Sequence, residues 1–97
     1  MSPNIYNYTD WIGEVNPKVL CENLTGILEK SGYTIVNFID YHFTGTGYTC
    51  VWLLAQSHLA VHTFPEDNKT YIELSGCNES MNNKFKILLK EWFETYE

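Results

Sequence analysis

The segment YTCVWLLAQSHLAVHTF, residues 48–64, decides the fold. Its first half is apolar on both faces, which is typical of a central strand that is covered on each side or that lies at a subunit contact. Its second half alternates, so that His58 and His62 share one face of a strand while Leu59 faces the other way. Pro65 ends this strand. Residues 48–64 therefore predict two consecutive strands joined by a short link.

Two amphipathic helices flank the strands in the sequence. The first has clear ends, because Asn16 can cap it, Pro17 suits the first helical position and Gly32 suits the left-handed residue that follows a helix. Four apolar residues at helical spacing predict its buried face: Leu20, Leu24, Ile27 and Leu28. The second helix, in residues 79–97, has a similar face: Met81, Phe85, Leu88, Leu89 and Trp92.

The remaining segments complete one α+β domain over residues 1–97. Residues 33–43 and 69–77 are rich in β-branched and aromatic side chains and predict strands, and TGTG, residues 44–47, predicts a hairpin turn. With a polar N-terminal strand, the order is β-α-β-β-β-β-α. We expect a two-layer α/β sandwich with a largely antiparallel sheet and both helices on one face.

Composition narrows the classes of function. Six Lys and Arg against twelve Asp and Glu leave no basic surface for nucleic acid. Seven Tyr, five Phe and three Trp favour an interface or a ligand pocket. Three cysteines without C-x-x-C spacing argue against a disulfide framework or a zinc knuckle, and no segment reaches membrane-spanning length. We expect a reduced, cytoplasmic protein that contacts neither membrane nor nucleic acid.

The histidines of the deciding segment allow three interpretations. His58 and His62 could be structural residues on a sheet edge, which is the simplest explanation for His58. Together with Cys77 they could bind a metal, but on a strand the two Cα atoms lie about 13 Å apart, which disfavours a shared ion. The third interpretation is covalent chemistry, since Ser57, His62 and Cys77 are suited to nucleophile, base and acid roles.

A family resemblance favours the covalent interpretation. QSHLAVHTFPE, residues 56–66, resembles the E-S-H, H-T, aromatic-P-E signature of the prokaryotic S-adenosylmethionine decarboxylases. In that family a catalytic cysteine follows the second histidine by fifteen residues, as Cys77 follows His62 here. Upstream, YHFTGTGYTCVWLLA, residues 41–55, is similar to the family's H-x-F, glycine turn and apolar strand. The resemblance spans about residues 32–77.

The resemblance implies a pyruvoyl enzyme that is made as a proenzyme. The hydroxyl of Ser57 would attack the carbonyl of Gln56 to give an ester, and elimination would then cleave the chain into residues 1–56 and 57–97. The dehydroalanine left at position 57 would hydrolyse to the pyruvoyl group with release of ammonia. The pyruvoyl group formed from Ser57 would be the cofactor, without a metal. It would form a Schiff base with the amine of S-adenosylmethionine and accept electrons as CO₂ leaves. The product would be the aminopropyl donor for spermidine synthesis.

The resemblance also implies roles for other residues. His62 would be the processing base, assisted by Thr49, and Cys77 would donate a proton to the substrate. Phe43 would stack on adenine and Glu66 would hold the ribose hydroxyls. The family's sites lie at a dimer interface, so we expect a homodimer.

Several departures from the family pattern keep two alternatives open. Gln56 stands where the family has Glu, Gly76 and Asn78 flank Cys77 in place of Thr and Gly, and Glu73 replaces an Asp. One alternative is a pyruvoyl-dependent decarboxylase of an amino acid such as arginine or ornithine. The other is a homologue that does not cleave itself and acts as a binding or regulatory partner.

Overall fold

The computed structural model describes residues 3–96, with side chains through residue 93, and contains five strands and two helices. Strand β1 (Tyr6–Ile12) precedes helix α1 (Pro17–Ser31), which is followed by β2 (Ile35–His42), β3 (Tyr48–Leu54), β4 (Ser57–Phe64), β5 (Lys69–Gly76) and helix α2 (Glu79–Tyr96). A short 3-10 turn, Pro65–Asp67, connects β4 and β5. This order confirms the predicted α+β sandwich.

The five strands form one sheet in the order β1-β5-β4-β3-β2, and every neighbouring pair is antiparallel. Strand β4 is therefore the central strand. Its two neighbours hold it in register, with Leu59 opposite Trp52 of β3 on one side and Leu74 of β5 on the other. The simplest explanation for His58, a half-buried position on a sheet edge, is wrong, because His58 lies exposed on this central strand.

Both helices pack on one face of the sheet, which we call the covered face. Helix α1 reaches it through a hydrogen bond from the indole nitrogen of Trp52 to Thr25 Oγ1 at 3.1 Å. Helix α2 reaches it where Phe85 meets the ring of Tyr8, with ring centroids 6.3 Å apart. Between the two layers lies one core, whose fully buried members include Trp52, Phe85, Leu20, Leu24, Leu28, Leu59 and Leu74.

The local signals for α1 act as predicted. Asn16 caps the helix by accepting hydrogen bonds from the backbone of Lys18 and Val19, and Gly32 ends it with a φ of 102°. The next residue, Tyr33, donates its backbone N–H to the Leu28 carbonyl at 3.1 Å. Together with the bond from the Gly32 N–H to the Glu29 carbonyl, this hydrogen bond fixes the direction in which the chain leaves the helix.

The other face of the sheet carries no helix from residues 3–96, and we call it the open face. One row of five side chains crosses all five strands on it: Tyr41, Thr49, His62, Tyr71 and Trp11. Several large apolar side chains on this face are exposed: Trp11, Ile39, Tyr41 and Leu53. The core therefore accounts for the apolar residues on only one of the two faces of β3. None of the helices in the described part of the chain is long and apolar enough to span a membrane.

Candidate active site

The residues that the sequence predicts for one site fall into two groups at opposite ends of strand β4. Ser57 begins the strand, and His62 lies five residues further along it. At about 3.3 Å per residue, their Cα atoms are separated by about 16 Å. Because five is an odd number, their side chains also leave opposite faces of the sheet. One chain therefore does not bring Ser57 and His62 together.

The first group surrounds the bond between Gln56 and Ser57, and we call it the cleavage end. Ala55 and Gln56 form the two-residue link between β3 and β4, and Gln56 has a φ of 62°. A two-residue link between antiparallel strands commonly needs a residue with positive φ, so the turn itself explains this conformation. The backbone N–H of Ala55 donates to the Thr34 carbonyl at 3.1 Å, which attaches the link to the segment after α1.

Cys77 lies at the cleavage end, immediately after β5. Its Sγ donates to Oε1 of Gln56 at 3.6 Å, so the predicted proton donor contacts the residue before the predicted cleavage bond. The thiol is exposed. These two residues are 21 positions apart in the sequence, and the pairing of Ser57 with Gly76 across β4 and β5 brings them together.

Ser57 projects toward the covered face, where its side chain occupies the space left by the missing side chain of Gly76 on β5. A Cβ built on Gly76 would lie 2.5 Å from Oγ of Ser57 and 3.6 Å from the hydroxyl of Tyr33. The first distance is shorter than real Cβ atoms tolerate, so only glycine fits at position 76 without displacing Ser57. Gly76, a departure from the family pattern, therefore has a steric role in this chain.

The second group lines a pocket of about 420 Å³ at the other end of β4, and we call it the pocket end. The predicted binding residues Phe43 and Glu66 meet the predicted processing residues Thr49 and His62 here. The complete lining is Phe43, Thr46, Gly47, Thr49, His62, Thr63, Phe64 and Glu66.

Direct contacts fix His62 in this pocket. Its Nδ1 lies 2.9 Å from Oγ1 of Thr49, and its ring is stacked on Tyr71 with an interplanar angle of 13°. The hydrogen bond engages Nδ1, so Nε2 is the ring nitrogen that remains for proton transfer. Tyr71 in turn donates to Glu73 Oε1 at 3.1 Å. Two effects raise the pKa of the Tyr71 hydroxyl: desolvation, which is the larger, and the neighbouring Glu73 carboxylate.

Phe43 and Glu66 border the pocket from two turns. Phe43 packs edge-on against Tyr41 with ring centroids 4.9 Å apart, and about half of its surface is exposed. Its backbone N–H donates to the carbonyl of Gly47 at 3.0 Å, which closes the glycine turn. Glu66 lies in the 3-10 turn after β4. A flat apolar ring and a carboxylate on one pocket can bind a ligand that has both a ring and hydroxyl groups.

The other two cysteines do not belong to either group. Cys50 is buried, and burial together with the neighbouring Cys21 raises the pKa of its thiol, so it stays a neutral core residue. The part of the chain that the structure describes holds no cluster of three or more His, Cys, Asp or Glu residues suited to a metal ion.

Sequence reasoning missed Tyr33 at the cleavage end. Its ring is buried, and its hydroxyl is the one buried side-chain oxygen or nitrogen in the described chain that lacks a hydrogen-bond partner. Tyr33 lies outside the signature residues, and its approach to Gly76 depends on how α1 packs on the sheet. The one signal in the sequence is the glycine itself, which leaves space beside Ser57.

Comparisons with known proteins find relatives of this chain. A family profile described as S-adenosylmethionine decarboxylase matches residues 13–96. The S-adenosylmethionine decarboxylase proenzyme of Prochlorococcus marinus (strain MIT 9313) is 34% identical over 56 residues, which are 58% of this chain and 45% of that protein. S-adenosylmethionine decarboxylase proenzyme 2 of Bacillus cereus is 31% identical over 65 residues, 67% of this chain and 53% of that protein.

The matched segments thus span about half the length of these curated relatives. A solved structure, the adenosylmethionine decarboxylase from Aquifex aeolicus, superposes with a TM-score of 0.76 at 22% identity, covering 93% of this chain and 79% of that one. At this identity the superposition supports the fold alone.

Proposed function

The chain belongs to the S-adenosylmethionine decarboxylase family, and from that premise we propose that it cleaves itself between Gln56 and Ser57 and then decarboxylates S-adenosylmethionine. One observation carries the proposal: the Gln56–Ser57 bond lies at the tip of a hairpin with the thiol of Cys77 hydrogen-bonded to Gln56 at 3.6 Å. The serine, the carbonyl and the proton donor are thus within one small region.

In the self-cleavage step, Oγ of Ser57 bonds to the carbonyl carbon of Gln56, and the peptide C–N bond breaks to give an ester. Elimination then breaks the Cβ–Oγ bond and leaves Gln56 with a C-terminal carboxylate. Residues 1–56 become one chain and residues 57–97 the other. Gln56 does not prevent this chemistry, because the reacting atom is its backbone carbonyl and its neutral side chain has the size of the family's Glu.

Ser57 fits the precursor of a pyruvoyl group, because Gly76 leaves room for its Oγ beside the hairpin. When formed, that group supplies an electron sink for loss of CO₂. Cys77 holds the proton on Sγ that the substrate carbon requires afterwards. At the pocket end, Phe43 offers a face for adenine, and Glu66 offers acceptors for the ribose hydroxyls.

We further propose that the working unit is a homodimer in which the pocket end of one copy meets the cleavage end of the other. The separation of about 16 Å between Ser57 and His62 requires a second chain if both act in one reaction. The open face supports this, because its exposed Trp11, Ile39 and Leu53 are apolar surface of the kind that subunit contacts bury.

Intact-mass spectrometry of the purified chain tests self-cleavage. We expect two fragments that break between Gln56 and Ser57, and no fragments from Ser57→Ala. Release of labelled CO₂ from carboxyl-labelled S-adenosylmethionine, compared with arginine and ornithine, then tests the substrate. A chain that stays intact after prolonged incubation would indicate a non-processing homologue, and release from an amino acid alone would replace the proposed substrate.

A further inference from the structure

Tyr33 is a buried tyrosine whose hydroxyl has no hydrogen-bond partner. A buried donor is normally paired in a folded protein, so such a group needs an explanation. Nothing in the packing of α1 requires a hydroxyl at this point, since a phenylalanine ring would fill the same volume. The chain keeps an oxygen here at a cost to its stability.

The position of this hydroxyl is well defined. Tyr33 is held on one side by its backbone hydrogen bond to Leu28 and on the other by the bond between Thr34 and Ala55. The second bond joins the Tyr33 segment directly to the hairpin that contains the cleavage bond. The backbone of Tyr33 therefore cannot move away from the cleavage end without breaking these hydrogen bonds, and the close packing around its buried ring restricts rotation of the side chain.

The hydroxyl borders the same gap as the attacking oxygen. The vacant Cβ position of Gly76 lies 3.6 Å from the Tyr33 hydroxyl and 2.5 Å from Oγ of Ser57. The two oxygens are thus neighbours in a space that any side chain at position 76 would occupy. Because Gly76 has no side chain, nothing at position 76 separates the Tyr33 hydroxyl from Oγ of Ser57.

The hydroxyl is also a permanent donor at neutral pH. Burial, followed by the electrostatic influence of the nearby Cys77, raises the pKa of Tyr33, so the phenol keeps its proton. A neutral phenol of this kind donates a hydrogen bond and does not act as a base.

We propose that the Tyr33 hydroxyl is the hydrogen-bond donor to Oγ of position 57 when that oxygen leaves during self-cleavage. The inference rests on the proposed function. In the ester, Oγ links Gln56 to Cβ of residue 57. A base removes the Cα proton, a Cα–Cβ double bond forms, and the Cβ–Oγ bond breaks with its electron pair on Oγ. That oxygen becomes part of the Gln56 carboxylate, and Tyr33 donates to it while keeping its own proton.

Donation at this point accelerates elimination more than ester formation. The negative charge on Oγ develops only as the Cβ–Oγ bond breaks, and a fixed donor in a buried site stabilises developing charge strongly. Without the hydroxyl the ester should therefore accumulate. This outcome distinguishes a donor to the leaving oxygen from a residue that only supports the fold.

The test is Tyr33→Phe, which removes one oxygen and keeps the ring. Intact mass is followed over time with and without hydroxylamine, which cleaves an ester but not the amide. We expect Tyr33→Phe to cleave at least about tenfold more slowly than the parent chain and to accumulate a full-length species that hydroxylamine cuts between residues 56 and 57. Tyr48→Phe controls for the removal of a buried phenol oxygen elsewhere in the chain. Tyr48 lies at the far end of β3 and its hydroxyl donates to Asp40 Oδ2 at 2.7 Å, so a loss of stability alone is reproduced there.

Each outcome decides the inference. A parent chain that cleaves, with Tyr33→Phe cleaving equally fast, overturns this inference and leaves the proposed function intact. Slow cleavage without a hydroxylamine-sensitive species also overturns it, because the hydroxyl would then act before the ester forms. A parent chain that never cleaves overturns the proposed function and this inference together. The thermal midpoint of Tyr33→Phe, measured beside that of the parent, identifies a variant that is slow because it is unfolded, and Tyr33→Phe is then repeated at a temperature at which both chains are folded.

Discussion

Ser57 and His62 lie on the same strand, five residues apart, in opposite environments. Ser57 projects into the covered side of the sheet, where it lies against the backbone of Gly76 and the Tyr33 hydroxyl borders the same space. His62 projects from the open face into a pocket of about 420 Å³ and is held by Thr49 alone at hydrogen-bonding distance among the described side chains. Gln56, Gly76 and Cys77, which lie around Ser57, come from the same chain as Ser57, whereas the pocket end faces outward.

This difference indicates that the two ends of β4 have different tasks, with the nucleophile at the cleavage end and ligand binding at the pocket end. A nucleophile that attacks its own backbone needs tight placement by the same chain, because a small displacement of the reacting atoms is costly. A pocket that admits a ligand must open to solvent or to a partner. The odd spacing between Ser57 and His62 places these two requirements on the two faces of one strand.

Mixing two inactive variants is the most severe test of whether the pocket end of one copy acts on the cleavage end of another. His62→Ala retains Ser57, and Ser57→Ala retains His62, so a mixed dimer contains one complete pair across its interface. We expect neither variant to cleave alone and the His62→Ala chain to cleave after the two are refolded together. Isotope labelling of the His62→Ala chain identifies its fragments by mass, and the expected change is from no cleavage to cleavage of that chain.

The control for this mixture replaces Ser57→Ala with the double variant Ser57→Ala/His62→Ala, which offers no intact histidine and should restore nothing. Efficient cleavage of His62→Ala by itself would show that the histidine is not the processing base. A mixture that stays intact, while the parent chain cleaves, would contradict the assembly of the site from two copies.

Closing the gap at Gly76 disturbs the cleavage end alone. A Cβ at this position would lie 2.5 Å from Oγ of Ser57, so Gly76→Ala must displace the attacking oxygen. We expect cleavage to slow by at least about tenfold and the free energy of unfolding to fall by about 1–3 kcal/mol. Time-resolved intact mass and chemical denaturation measure the two effects.

Gly13→Ala is the matched control, because a Cβ on Gly13 would meet no atom within 4 Å. It should cleave at the rate of the parent chain. If Gly76→Ala cleaves equally fast, the close packing around Ser57 has no part in the reaction.

Much of the fold follows from signals that act locally. Asn16, Pro17 and Gly32 bound α1 because capping depends on hydrogen bonds within one turn of the chain, and the strand alternation around His62 follows from the geometry of an extended backbone. The same alternation also predicts that Ser57 and His62 face apart. The resemblance assigns both residues to one site, and the structure shows that a single chain does not bring them together.

Contacts between distant segments could not be predicted in this way. Cys77 meets Gln56, and Tyr33 meets Gly76, because the β4–β5 register and the packing of α1 bring those segments together. Neither contact has a periodicity or a motif in the sequence. Both contacts depend on tertiary packing, which cannot be read from the identity of the residues.

The hydrogen bond between Thr49 and His62 gives the smallest expected effect and tests the pocket end alone. Thr49→Val keeps the shape of the side chain but removes the oxygen that lies 2.9 Å from Nδ1. One such hydrogen bond contributes about 0.5–1.5 kcal/mol, so cleavage should slow by about two- to tenfold. Thr49→Ser keeps the hydroxyl and should restore the parent rate. If serine slows cleavage and valine does not, the methyl group of Thr49 matters through packing and the hydroxyl does not orient His62. If neither does, the pocket end acts only after cleavage, in binding substrate, and the division of work between the two ends of β4 is sharper than proposed here.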